Sequence, residues 1–177
     1  MALLTEENMK NKQTIYLIAV NAIVAALYAA LTLVISPIAY GEIQFRMTEI
    51  LIFLAFYDKR FLPGLILGCF IANLFSPMIA YDLLFGTLAT AAAVIGIRLV
   101  GAATKRKIYG LFIVPFIGAA ANGLLVGLAL HLAFELPYWA TVLSVAIGEF
   151  AVLVVGSIVF LFIPKIPAVK KFLCWER

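Results

Sequence analysis

The sequence predicts an all-α integral membrane protein: one compact bundle of six transmembrane helices, with both termini in the cytoplasm. Three observations predict it. First, 66% of the 177 residues are hydrophobic and the mean hydropathy is +1.14. A soluble core of this size cannot hide so much apolar surface, so lipid must cover much of it. Second, the apolar stretches form six runs with short connections. That makes residues 1–177 a single domain and leaves no room for a soluble catalytic domain. Third, the basic residues sit in alternate loops. Lys10 and Lys12 precede the first run, Lys59 and Arg60 follow the second, and Lys105, Arg106 and Lys107 follow the fourth. Lys165, Lys170, Lys171 and Arg177 follow the sixth, which makes 11 of the 13 basic residues. Short loops rich in Lys and Arg stay in the cytoplasm. The net charge of +4 therefore reflects topology and points to no nucleic-acid partner.

The runs can be justified in order. Residues 1–13 are polar and mixed in charge, and form a cytoplasmic N-terminal segment with no cleavable signal. The run after them is too long for a signal-peptide core. It covers Thr14–Ser36 and is closed by Pro37. The second, Met47–Tyr57, is short and is closed by Asp58-Lys59-Arg60. The third is Phe61–Ser76, with Pro63 in its first turn and Pro77 just beyond, positions a helix tolerates or ends on. The fourth is Asp82–Thr104, the fifth Ile108–Phe134, the sixth Tyr138–Ile163, and residues 165–177 form a cytoplasmic tail. About 20 residues cross the hydrocarbon. Runs two and three fall short, so they belong inside the bundle beside a cavity. A re-entrant hairpin from Met47 to Ser76, leaving four full spans, is the alternative.

Polar groups are scarce, so their placement is informative. A charge at the centre of a spanning helix costs roughly 2.5–3.5 kcal/mol on insertion scales. Glu42, Gln44, Arg46 and Glu49 nevertheless gather at the outer mouth between runs one and two. Asn73 lies near the outer end of run three, Tyr81, Asp82 and Phe85 open run four, and Asn122 and Glu149 lie near the midplane. Together they form a candidate outward-facing pocket. Plainer readings exist for most. Asp82 suits a helix N-terminus, Arg46 and Glu49 have the i,i+3 spacing of an ion pair, and Asn73 and Asn122 suit interhelical hydrogen bonding. His131 and Glu135 read as a wet surface pair, and Phe45, Tyr81 and Phe85 suit either stacking on a flat ligand or an interfacial aromatic belt. Glu149 has no such reading: a midplane carboxylate needs a partner, a proton or a ligand.

Small residues form a second pattern. Ala22, Ala26 and Ala30 repeat every four residues beside the parallel row Ala25 and Ala29. Gly64 with Gly68, and Gly123 with Gly127, repeat it. Such stripes let helices approach closely, within this bundle or on a partner. Cys69 and Cys174 imply neither a disulfide framework nor a metal site. Catalytic and nucleotide-binding signatures are absent, and one histidine cannot build a multi-histidine metal centre. No enzyme activity, cofactor or metal is expected; if the chain drives uptake, the energy comes from a partner or an ion gradient.

Tyr40-Gly-Glu-Ile-Gln-Phe-Arg-Met-Thr-Glu49 resembles a segment of the queuosine-precursor transporter (QueT) family, among the substrate-binding S components of energy-coupling factor (ECF) transporters. Thr48 stands where that family usually has Ser, which keeps the hydroxyl. Gly68-Cys-Phe-Ile-Ala-Asn-Leu-Phe-Ser-Pro77 and Asp82-Leu-Leu-Phe-Gly-Thr-Leu-Ala-Thr90 are also similar to family segments. The resemblance implies a subunit of the cell membrane that binds a 7-deazaguanine precursor of queuosine outside the cell. Uptake would then be driven by a coupling transmembrane protein and two ATPase subunits, with Ala22, Ala26 and Ala30 at the docking face and residues 37–46 as a lid. A guanine-like edge offers N–H donors that Glu49 or Glu149 would accept, and a carbonyl suited to Asn73, Gln44 or Arg46. Asp82 or Glu42 would meet an aminomethyl cation. Another vitamin-like substrate on the same scaffold, or a small intramembrane enzyme using Glu49, His131 and Glu149, is the alternative.

Overall fold

The computed structural model describes residues 2–35, 46–166 and 173, and among them it is helical with no strand. Six elements follow in order: α1 (Ala2–Val34), α2 (Met47–Tyr57), α3 (Leu62–Asn73), α4 (Ile79–Ala103), α5 (Ile108–Phe134) and α6 (Tyr138–Phe162). Four segments are long and apolar enough to cross a membrane: Asn11–Val34, α4, α5 and α6. α1 starts well before the expected Thr14. The polar residues ahead of it contain no Gly or Pro and are mostly good helix formers, so the helix simply continues through them.

The two short helices occupy the centre. Ile52, Phe53, Ala55 and Phe56 of α2 are wholly buried. α2 begins as a 3₁₀ helix over Met47–Ile52 and becomes α-helical over Phe53–Tyr57. The tighter winding rises about 2.0 Å per residue against 1.5 Å, so eleven residues reach about 20 Å. One end of α2 meets α4 at Asp82, where Arg46 pairs with it. At the other end the Phe56 carbonyl lies 2.1 Å from where a Cβ on Gly101 would stand. α3 returns, from a 3₁₀ turn at Lys59–Phe61 to Asn73, which bonds the Asp82 carbonyl. The pair thus runs from the Asp82 end of α4 to its Gly101 end and back.

Glycine contacts seal the helix pairs. A Cβ at Gly64 would meet the Asn21 carbonyl at 2.8 Å, and one at Gly68 the Tyr28 Cβ at 2.7 Å, so α3 lies directly on α1. Gly123 and Gly127 seat α5 on Val142 and Ala146 of α6 in the same way. The two alanine rows of α1 part company. Ala25 and Ala29 are buried in the bundle, whereas Ala22, Ala26 and Ala30 are exposed. Large exposed side chains such as Ile18, Leu99, Ile147 and Ile158 cover the outer faces of the long helices, as a lipid-facing surface requires.

Proline and left-handed residues punctuate the chain. Pro115 stands in the first turn of the long part of α5, just after a break in the helix at Phe112 and Ile113. Glu135 closes α5 with φ 58°. Its neighbour His131 holds the turn through Nδ1 against the Leu136 carbonyl, at 2.5 Å, so these two residues build a surface turn.

Candidate substrate-binding site

Among the described residues, Arg46, Asn73 and Asp82 meet at one end of the bundle. α4 starts at Ile79, so Asp82 is a fourth helical residue and no cap. It begins a π-helical turn, Asp82–Gly86. The turn widens the backbone, and the Asp82 carbonyl accepts from both the Thr87 N–H and Asn73 Nδ2, the latter at 2.8 Å. The Asp82 carboxylate is completely buried. One oxygen faces Arg46 Nη2 at 3.4 Å, and the other accepts a short hydrogen bond from the Ser76 hydroxyl. Arg46 therefore bridges to α4, and the expected i,i+3 pairing with Glu49 is not its principal contact. Gly86 makes room: a Cβ there would stand 3.4 Å from Arg46 Nη1 and 2.9 Å from Asn73 Nδ2.

Glu49 sits one turn into α2 and is also completely buried. Its Oε1 accepts a short hydrogen bond from the Tyr28 hydroxyl of α1 and another, at 3.2 Å, from Thr90 of α4. Its Oε2 is buried with no hydrogen-bond partner. Glu149 of α6 and Asn122 of α5 are each 2% exposed. Asn122 Nδ2 donates to the Gly118 carbonyl at 3.3 Å, while its Oδ1 is unpartnered. Glu149 Oε1 is likewise unpartnered, and lies 3.6 Å from where a Cβ on Gly118 would be. Glu149 is within electrostatic reach of both Glu49 and Arg46. Three buried acceptor atoms on α2, α5 and α6 thus lack a donor among the described residues. Leaving such atoms unsatisfied costs about 1–3 kcal/mol each, more when charged.

A chain of hydroxyls braces the site. Thr32 Oγ1 lies 2.9 Å from Thr48 Oγ1 and 2.8 Å from the Tyr28 carbonyl, so the hydroxyl kept at position 48 is used internally. Thr90 also reaches Cys69 Sγ at 3.2 Å. Gln44, Glu42 and Phe45 lie outside the described residues, as does most of the expected lid. Tyr81, just before the π turn, and Phe85, on it, are half-buried and make no ring contact among the described residues. Sequence reasoning missed Tyr28, Cys69, Ser76 and Thr90. Tyr28 carried a signal, since a tyrosine deep in an alanine-rich spanning helix is out of place for an interfacial belt. Cys69 and Thr90 carried none, because both are ordinary residues of spanning helices.

A family model described as QueT transporter matches residues 18–165. The chain belongs to the QueT transporter family. It is also 33% identical over 162 residues to the protein named queuosine precursor transporter QueT of Lactococcus lactis subsp. cremoris (strain MG1363). That alignment covers 85% of this chain and 93% of the relative. No solved structure matches. The matched region runs from the second half of α1 through α6, so every residue of the buried cluster falls within the family's span.

Proposed function

We propose that the chain is the substrate-binding component of an ECF-type importer in the cell membrane, which captures a 7-deazaguanine precursor of queuosine outside the cell. The observation that carries this reading is the trio of donor-less buried acceptors, Glu49 Oε2, Asn122 Oδ1 and Glu149 Oε1. A guanine-like base has two N–H groups on its pyrimidine edge, which one carboxylate accepts together, and a ring N–H on its far side. Buried acceptors on three helices suit a ligand with donors on more than one edge. The name of the Lactococcus relative supports the same substrate.

The structural detail sharpens the roles. Asp82 is already engaged by Arg46 and Ser76, so Glu49 and Glu149 are the acids that meet the ligand. Arg46 and Asn73 hold the π turn of α4 beneath it. Gln44 and Glu42 stand on the segment that would close above.

The chain has no phosphate loop, so energy must come from elsewhere. The exposed row Ala22, Ala26 and Ala30 is a smooth helix face on which a coupling transmembrane subunit would pack, with two ATPase subunits behind it. The test is a binding screen on the detergent-solubilised chain, using 7-deazaguanines with and without an aminomethyl group, guanine, adenine and a panel of water-soluble vitamins. Saturable binding confined to the 7-deazaguanines is expected. Tight binding of a different vitamin with none of any deazaguanine overturns the substrate. Turnover of a bound base by the isolated chain overturns the transporter reading in favour of an enzyme.

A further inference from the structure

The opposite end of the bundle carries a second polar feature that substrate capture does not use. An open cleft of about 950 Å³ lies between the first turns of the spanning part of α1, the α2–α3 turn and the end of α4. Lys59, Arg60, Arg98, Lys105 and Arg106 line it. The one carboxylate among the lining residues, Asp58, is paired with Arg60 at 2.9 Å. The cleft therefore keeps a strong positive excess. Arg98 is its deepest cation, five residues before the end of α4, and its Nη1 is buried with no hydrogen-bond partner. The residue as a whole is partly exposed, so its guanidinium reaches the cleft while that one nitrogen lacks an acceptor among the described residues.

The backbone at the rim is also unusual. Lys105 and Arg106 are consecutive non-glycine residues with φ of 51° and 57°, a conformation that costs free energy at each position. The turn is closed by the Arg106 N–H donating to the Gly101 carbonyl at 2.9 Å. Two cations are thereby held at the mouth above Arg98. The third wall is formed by Gln13, Tyr16 and Leu17 of α1. Beyond it, the outer surfaces of the same two helices are apolar: Ile15 and Ile18 on α1, and Ile95 and Leu99 on α4. On α4 the exposed apolar residues Ile95 and Leu99 flank Arg98, so a phosphate in this cleft would sit beside an apolar helix face.

We propose that this cleft binds the phosphate headgroup of an anionic phospholipid of the leaflet at the basic end of the bundle. Arg98 is the inner contact, Lys105 and Arg106 the rim, and the acyl chains run along the Ile95 and Leu99 face of α4. A phosphodiester offers acceptor oxygens that a guanidinium fork matches. Basic pockets between spanning helices on the cytoplasmic side are suited to such headgroups. The apolar helix face is what favours a lipid over a soluble phosphate. The inference rests on the membrane reading of the long helices and is independent of the substrate.

The test uses the full chain, delipidated in a neutral detergent. Retention of added lipid is read by native mass spectrometry and thermal unfolding, with phosphatidylglycerol, phosphatidylcholine and inorganic phosphate as separate probes. Phosphatidylglycerol is expected to bind one to one and raise the unfolding temperature, while phosphatidylcholine and inorganic phosphate do neither. Arg98→Gln is expected to weaken phosphatidylglycerol binding at least tenfold. The rim pair Lys105→Gln and Arg106→Gln, on exposed residues, gives the same direction if the Arg98 variant does not fold. Deazaguanine binding by these variants is expected to be unchanged, which separates failure here from failure of the substrate reading. Equal binding of both lipids, or equal binding by wild type and variants, overturns the proposal. Stabilisation by inorganic phosphate alone overturns the lipid and leaves a soluble anion.

Discussion

Glu149 is the residue on which the proposed function turns. Its carboxylate is buried against Gly118 of α5, with one oxygen unpartnered. Replacing it by Gln keeps size and one carbonyl oxygen but removes an acceptor and the charge. Glu149→Gln is therefore expected to weaken deazaguanine binding at least tenfold, about 1.4 kcal/mol, measured by calorimetry in detergent. Unchanged affinity would reassign Glu149 to packing. Glu49 differs, because its Oε1 is braced by Tyr28 and Thr90. The sequence marked both acids through their scarcity alone. It did not reveal Asp82 as an internal ion-pair partner, because capping and burial look alike in a residue near a helix start.

At the scale of elements, the site depends on how closely α3 lies on α1. Gly68 lets Tyr28 sit against it, and Tyr28 is the residue that orients Glu49. Gly68→Ala puts a Cβ 2.7 Å from the Tyr28 Cβ and 3.0 Å from the Ala25 Cα, too close without movement. Overpacking of this kind costs about 1–3 kcal/mol. Gly68→Ala is therefore expected to lower the unfolding temperature and, by displacing Tyr28, the ligand affinity as well. A stability loss with intact affinity would disconnect the two. The α2–α3 turn carries a pH-dependent contact. Burial raises the Asp58 carboxyl, but hydrogen bonds from the Arg60 side chain and N–H, and the charges of Arg60 and Arg106, outweigh it and leave the pKa lowered. A lowered folded pKa adds stability that is present above the unfolded value, about 3.9, and lost as pH falls through the folded value. Asp58→Asn should flatten the acid limb of the unfolding profile below about pH 4 and leave neutral-pH ligand binding unchanged.

The whole molecule is expected to sit with its basic end inside. Glu135→Cys, at the turn after α5, should react in intact cells with a membrane-impermeant maleimide. Lys107→Cys, before α5, should react only after permeabilisation, both in a Cys174→Ser background. The reverse pattern would invert the orientation and place the Glu49–Glu149 site inside. The sequence by itself determined the helical class, the bounds of α2 exactly and those of α5 and α6 to within a residue. It also supplied most of the polar residues of the site. It did so because charge is expensive in an apolar chain, so polar residues persist only at interfaces and sites. Tertiary structure alone decided which of them meet. The 3₁₀ start of α2 lengthens a short helix, and Asp82 at the π turn of α4 pairs with Arg46. The same tertiary packing buries one alanine row of α1 and leaves the other exposed. These depend on how helices lie against one another, and a periodicity of small or apolar residues is the same whichever neighbour a helix face meets.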